Sequence, residues 1–186
     1  MNSPRTSCPD RILGLAAVAA VLFAPVIAGG GAGPEALTAT SSFLNRVAEE
    51  QQIEISLGQL ATQRAGSERV KEFGAHMVEE HKKVSQQLEQ LAYKEGVHLS
   101  PGLSQEHKQQ QEADELSQLS GHAFDRAYMN YALQHHETTV EEFAQRAKTL
   151  QHQDIAQWMT LTLPILEAHR EQALQVKYSL QTNPIR

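Results

Sequence analysis

The sequence predicts an all-α protein, a four-helix bundle with a long connection between the second and third helices. Four long stretches carry apolar residues spaced by threes and fours, as expected for helices that bury one face. Glycine and serine residues separate the first stretch from the second and the second from the third. The polar segment between Gly96 and Gly121 is long enough to run the length of a bundle.

The chain of 186 residues is expected to form one domain, since a domain usually holds roughly 100 to 200 residues. We assign residues 1–28 to a signal peptide, 29–40 to a flexible leader, 41–180 to the bundle and 181–186 to a tail. Arg5 and Arg11 precede an apolar run that ends in a small-residue cleavage pattern at Ala28. The alternative is an uncleaved anchor, because a spanning helix needs at least about 17 residues. We therefore expect export to the periplasm or outer envelope of a bacterium.

Cleavage would remove the only cysteine, Cys8, so the mature protein would have neither a disulfide nor a thiolate ligand. It would also remove two basic residues and one acidic residue, which takes the net charge from −6 to −7. An acidic chain without a basic cluster is not expected to bind nucleic acid. No nucleophile constellation, phosphate-binding loop or dinucleotide fingerprint is present in the sequence. These features favour a binding protein over an enzyme.

The four helices are predicted at about 42–65, 68–95, 122–149 and 153–180. Ser41 or Ser42 can cap the first, and Ser67 can cap the second after the stop at Gly66. A short helix that ends at Leu116 and Leu119 is expected within the connection that also contains Pro101-Gly102. Pro164 lies inside the fourth helix, where its missing amide should produce a kink.

One polar residue interrupts each apolar row, and these four residues are the main functional candidates. They are Glu54, His81, His136 and His169, one on each predicted long helix. Each lies within about one to three residues of its helix midpoint, and midpoints share a level whichever way a helix runs. Because bundles build metal sites from side chains on facing helices, the pattern predicts one transition metal ion in the core. Imidazole ligands suit Zn, Cu, Ni or a single Fe.

Three further glutamates, Glu80, Glu137 and Glu167, are candidate supporting partners or alternative ligands, although a solvated helix face would also explain them. The remaining histidines are expected at the surface, and they are His76, His98, His107, His122, His135 and His152. The competing interpretation of the central residues is a hydrogen-bonded network that binds no metal, in which Glu54, with Glu137 as a second candidate acceptor, accepts hydrogen bonds from the histidines.

Several separated motifs resemble the exported bacterial family catalogued as domain of unknown function 4142. The resemblance covers about residues 42–178 and rests on Val70-Lys71 with Phe73, Met77-Val78-Glu79-Glu80-His81, Ser120-Gly121 with Phe124-Asp125-Arg126-Ala127-Tyr128, His136-Glu137, and Leu163-Pro164 with Leu166 and His169. That family is described as ferritin-like, is often labelled an outer membrane protein and has no established activity. The resemblance therefore implies a ferritin-like fold and association with the cell envelope, but no reaction.

The sequence departs from the ferritin-like di-iron pattern, in which two helices each carry a Glu-x-x-His pair. Val78, Leu133 and Leu166 stand three residues before the central histidines, where glutamate would be required. A redox enzyme of the ferritin type is therefore the least favoured of three hypotheses. The others are a metal-binding protein for storage, buffering or stress protection, and a metal-free structural module of the envelope.

Overall fold

The computed structural model describes residues 34–100 and 107–182. These residues form five helices: α1 is Pro34–Arg64, α2 is Glu68–Lys94, α3 is His107–Ser117, α4 is Gly121–Thr149 and α5 is Gln153–Thr182. The described part of the chain has no strand beyond an isolated bridge between Ala65 and Gly121. The predicted all-α bundle is confirmed.

The core consists of two apolar clusters at opposite ends of the bundle. We call the first the Tyr128 cluster, which includes Leu57, Phe73, Met77, Tyr128, Leu133 and Ala173. The second, the Phe143 cluster, includes Val47, Val84, Leu88, Val140, Phe143 and Leu166. The buried polar residues Gln51, His81, His136 and His169 lie between them, one on each long helix, whereas Glu54 lies within the stretch of α1 that belongs to the Tyr128 cluster. The bundle thus has a polar layer enclosed above and below by apolar side chains.

The direction of each helix follows from the order in which it passes through the clusters. α2 runs from Met77 in the Tyr128 cluster to Val84 in the Phe143 cluster, and α4 runs the same way. α1 and α5 run in the opposite direction. The packed pairs α1–α2, α4–α5, α2–α5 and α1–α4 are therefore all antiparallel.

The connection between α2 and α4 runs from one end of the bundle to the other. α2 ends at Lys94 near the Phe143 cluster and is followed by Gly96 with its positive φ of 66°, whereas α4 begins near the Tyr128 cluster. α3 lies in this connection and packs against α1 and α4, with Leu116 buried in the Tyr128 cluster. The predicted long connection between the second and third bundle helices is confirmed.

The start of α1 and the cap of α2 differ from the sequence prediction. α1 begins at Pro34, so Ser41 and Ser42 lie inside the helix rather than before it. Proline suits a first turn because the amides there have no helical partner. Ser67 does occupy the N-cap of α2, but its side chain makes no capping hydrogen bond.

Asp125 of α4 satisfies the backbone at the start of α2 instead. Its buried carboxylate accepts hydrogen bonds from the backbone N–H groups of Gly66 and Ser67, both at 3.0 Å. A charged acceptor at a helix N-terminus also interacts favourably with the helix dipole. This contact links the α1–α2 turn to α4, and sequence spacing gave no sign of it.

Pro164 lies within α5, which continues through it to Thr182, and the predicted kink stays a prediction. Among the helices of residues 34–100 and 107–182, none is long and apolar enough to cross a membrane. The assigned signal peptide, residues 29–33 of the leader, Pro101-Gly102 and the last four residues lie outside the described residues.

Candidate metal centre

Helical spacing places the three central histidines inside the core. His81 follows Met77 by four residues and precedes Val84 by three, so it shares their inward face. His136 and His169 are likewise flanked on their helices by core residues. All three side chains are essentially inaccessible, at 2% exposure or less.

The three imidazoles converge on one point from α2, α4 and α5. One ligand nitrogen of each lies within 4.8 Å of the others. The ring centroids form a nearly equilateral triangle, with sides of 5.6 Å for His81–His136, 5.1 Å for His81–His169 and 5.2 Å for His136–His169. The structure therefore brings together the three histidines that the sequence grouped.

Hydrogen bonds fix the orientation of two of these rings. Nδ1 of His81 lies 2.9 Å from the side-chain oxygen of Gln51, and Nδ1 of His136 lies 2.8 Å from the carbonyl oxygen of Ala132. Because both partners are acceptors, each Nδ1 carries the proton and each Nε2 keeps its lone pair. Neither Nε2 has a hydrogen-bond partner among the described residues. Metal-ligating histidines are oriented in this way, through the nitrogen that does not bind metal.

His169 differs from the other two because neither of its ring nitrogens has a hydrogen-bond partner among the described residues. Its ring is 1% exposed and packs against His81 and His136. An unpaired buried polar group is costly, so two such nitrogens in one ring call for an explanation. A cation bound at the centre would supply a partner for one of them.

Burial keeps these imidazoles neutral. Desolvation lowers the pKa of His136 to about 4, although the hydrogen bond to the Ala132 carbonyl acts to raise it. Desolvation and then the neighbouring His136 lower the pKa of His169 to about 3. The pKa of His81 is also well below 6.5, for the same reasons. Neutral imidazole is the form that binds metal, so the centre is in its ligating state at neutral pH.

Glu54 is completely buried, but it lies to one side of the triad. The group of ligand atoms within 4.8 Å of one another contains the three histidines and not Glu54. Its Oε1 lies 3.5 Å from Nε2 of His135 instead. Burial raises the pKa of Glu54 to about 8, while the hydroxyl of Tyr131 acts in the opposite direction.

Two histidines that we expected at the surface flank the centre, so that expectation is wrong for them. The side chain of His135 is only 12% exposed, because it packs between Glu54 and the parallel ring of Tyr131, 5.7 Å away. His76 is half-buried, and its ring lies 5.7 Å from that of His169, edge to face. His135 and His76 lie beside the apolar stripes of their helices. The spacing along one helix does not show which of its flanking residues are covered by a neighbouring helix.

The three supporting glutamates are placed differently from the histidines. Glu80 pairs with Lys83 at 2.7 Å on the outside of α2. Glu137 and Glu167 are exposed. Their positions give no contact with the triad, and solvated helix faces account for them.

Comparison with known proteins identifies the family. A family model described as Domain of unknown function (DUF4142) matches residues 28–176, which is most of the chain. The chain belongs to this family. No curated protein and no solved structure matches it.

The centre of this DUF4142 domain is rich in nitrogen and poor in carboxylate. Leu133 and Leu166, at two of the positions where a di-iron protein would carry glutamate, are buried in the apolar clusters. A tetrahedral zinc ion would hold its nitrogens about 3.3 Å apart, at Zn–N distances of about 2.0–2.1 Å. The ligand nitrogens of the triad lie within 4.8 Å of one another, so such an ion would require them to move closer together.

Proposed function

We propose that this DUF4142 protein is exported and binds one transition metal ion through His81, His136 and His169. One observation carries the proposal: three buried, neutral imidazoles from three helices converge within 4.8 Å. The role that fits such a centre is metal storage, buffering or protection of the envelope from metal stress. Periplasmic or outer-envelope location is part of the proposal and rests on the signal-like residues 1–28.

The chemistry of the ligands narrows the choice of metal. Three imidazoles without a thiolate favour Zn²⁺, Cu²⁺ or Fe²⁺ over Ca²⁺ and Mg²⁺, which prefer oxygen ligands. Three protein ligands leave a position open on a four-coordinate ion, and we propose the fully buried carboxylate of Glu54 for it. A turn of the Glu54 side chain away from His135 would be required.

The competing metal-free network accounts less well for the same residues. Gln51 and the Ala132 carbonyl each pair with one histidine nitrogen, as such a network requires. However, Nε2 of His81, Nε2 of His136 and both nitrogens of His169 remain without partners among the described residues. A network that served only to hold the bundle together would be expected to pair these atoms.

The direct test is elemental analysis of the full chain, produced with export and without a histidine tag. We expect close to one equivalent of Zn, Cu or Fe in the purified protein, or after incubation with each ion. The variant His81→Ala, His136→Ala, His169→Ala should contain none.

A matched control removes three histidines outside the centre, His98→Ala, His122→Ala and His152→Ala, and should bind as wild type does. Absence of stoichiometric metal in the wild type, together with an unchanged melting temperature on addition of each ion, would refute the proposal. Metal bound equally by both triple variants would mean that the ligands are elsewhere. Mass spectrometry of the same sample shows whether residues 1–28 have been removed.

A further inference from the structure

The three ligands differ in how firmly they are held. His81 and His136 are fixed through Nδ1 by Gln51 and by the Ala132 carbonyl. His169 has no such hydrogen bond among the described residues, so only packing sets its orientation. The triad therefore consists of two fixed imidazoles and one that is freer to turn.

A fourth imidazole stands beside the freer one. The ring of His76 lies 5.7 Å from that of His169, at an interplanar angle of 86°. His76 belongs to α2, five residues before His81, and is half-buried, whereas the triad is sealed. It therefore offers a metal-binding nitrogen between the solvent and the buried centre.

A sealed centre needs a path by which a hydrated ion reaches it. The ion must exchange its waters for protein ligands, and each exchange is easier when a new ligand is within reach before the old one leaves. The rings of His76 and His169 are in contact, and the ring of His169 contacts both other ligands. These contacts form a continuous line of imidazoles from the partly exposed side of α2 to the centre.

We propose that His76 is the loading ligand of the centre, which captures a metal ion near the surface and transfers it to His169. The ring of His169 turns between His76 and the triad, while His81 and His136 receive the ion in fixed positions. No bond other than metal–ligand bonds forms or breaks, and the ion keeps its charge. This inference rests on the proposed function, because it concerns how the same centre is filled.

The test is the rate of Zn²⁺ binding, followed by stopped-flow with a chromophoric chelator, in wild type and His76→Ala. Because a transfer ligand lowers the barrier in both directions, we expect association and release both to be slowed about tenfold, or about 1.4 kcal/mol on the barrier. The dissociation constant should be unchanged. His76→Cys, which restores a metal-binding atom, should recover fast loading, and His98→Ala should behave as wild type.

Each other outcome has a distinct meaning. If Zn²⁺ binds with wild-type rates in His76→Ala, the loading role is wrong and the proposed function stands. If only release is faster and affinity falls, His76 is a permanent ligand rather than a loading ligand. If the wild type binds no Zn²⁺, Cu²⁺ or Fe²⁺, the proposed function fails and this inference fails with it. Circular dichroism and melting temperature identify a variant that has not folded, and His76→Gln then replaces it.

Discussion

Replacing Glu54 with glutamine should change how the stability of the metal-free protein depends on pH. Burial raises the pKa of this carboxyl from 4.5 to about 8, so the folded protein keeps a proton that the unfolded chain has lost. Between these two values the folded state binds more protons than the unfolded state does. Stability due to Glu54 therefore falls as the pH rises from about 4.5 to about 8.

The size of the effect follows from the two pKa values. Between pH 6.5 and pH 8 the unfolded carboxyl is fully ionised, and the folded one goes from almost wholly protonated to half protonated. At about 1.36 kcal/mol per pKa unit, the wild type should lose about 1.6 kcal/mol relative to Glu54→Gln over this range. The buried histidines contribute equally to both proteins and cancel in the comparison.

The assay is urea unfolding at pH 6.5, 7.25 and 8 in the presence of a strong chelator, for wild type and Glu54→Gln. The difference in unfolding free energy between them should shift in favour of the variant as the pH rises. Glu137→Gln removes an exposed carboxylate from the same bundle, and its difference from wild type should stay constant. A constant difference for Glu54→Gln as well would show that the carboxyl is not held protonated, and would refute the reasoning.

Four further predictions concern the metal centre and the packing of the helices. Saturation with the bound metal at 100 times its dissociation constant should stabilise the protein by about 2.7 kcal/mol, measured by thermal unfolding, and the triple histidine variant should show no shift. Because burial lowers the pKa of His136 to about 4, bound metal should survive dialysis at pH 5.5, where ordinary imidazoles are largely protonated; complete release at that pH would contradict this. Asp125→Ala should cost about 2–3 kcal/mol in urea unfolding, since two backbone N–H groups at the start of α2 lose a charged acceptor. Gly74→Ala should lower the free energy of unfolding by about 1–3 kcal/mol, because the new Cβ would lie 2.6 Å from the Cβ of Ala61 and would force α1 and α2 apart. An unchanged urea midpoint would show instead that the helices adjust freely.

Much of the bundle was predictable because helical periodicity is a local signal. The predicted bounds of α2 and α5 agree with the structure to within two residues at each end. They rested on the apolar rows of the long segments and, for α2, on the glycines Gly66 and Gly96 that flank it. The start of α1 was missed by several residues because Ser41 and Ser42 resemble caps, while Pro34 begins the helix earlier. Ser67 marked the position of the N-cap of α2 correctly, but its side chain makes no capping hydrogen bond. Asp125 of α4 accepts the hydrogen bond from the backbone N–H of Ser67 instead.

In the metal centre, too, local sequence signals were predictive and contacts between helices were not. His81, His136 and His169 could be grouped from sequence because each breaks an apolar row at the middle of a helix, and helices of similar length packed side by side share their midpoints. The position of Glu54 against His135, and of His76 against His169, depends on helix rotation and on which helices are neighbours. Those quantities are set by side chains distant in sequence, so no spacing along one helix encodes them.

The sequence alone thus determined the four amphipathic helices, the long connection and the level at which the three histidines lie, because burial of an apolar stripe constrains each helix separately. Only the tertiary structure decided that three imidazoles face one another at 5.1 to 5.6 Å, that two are held through Nδ1, and that Glu54 lies aside. Ligand geometry requires the relative rotation of three helices to be correct at once, and that rotation follows from how the Tyr128 and Phe143 clusters pack.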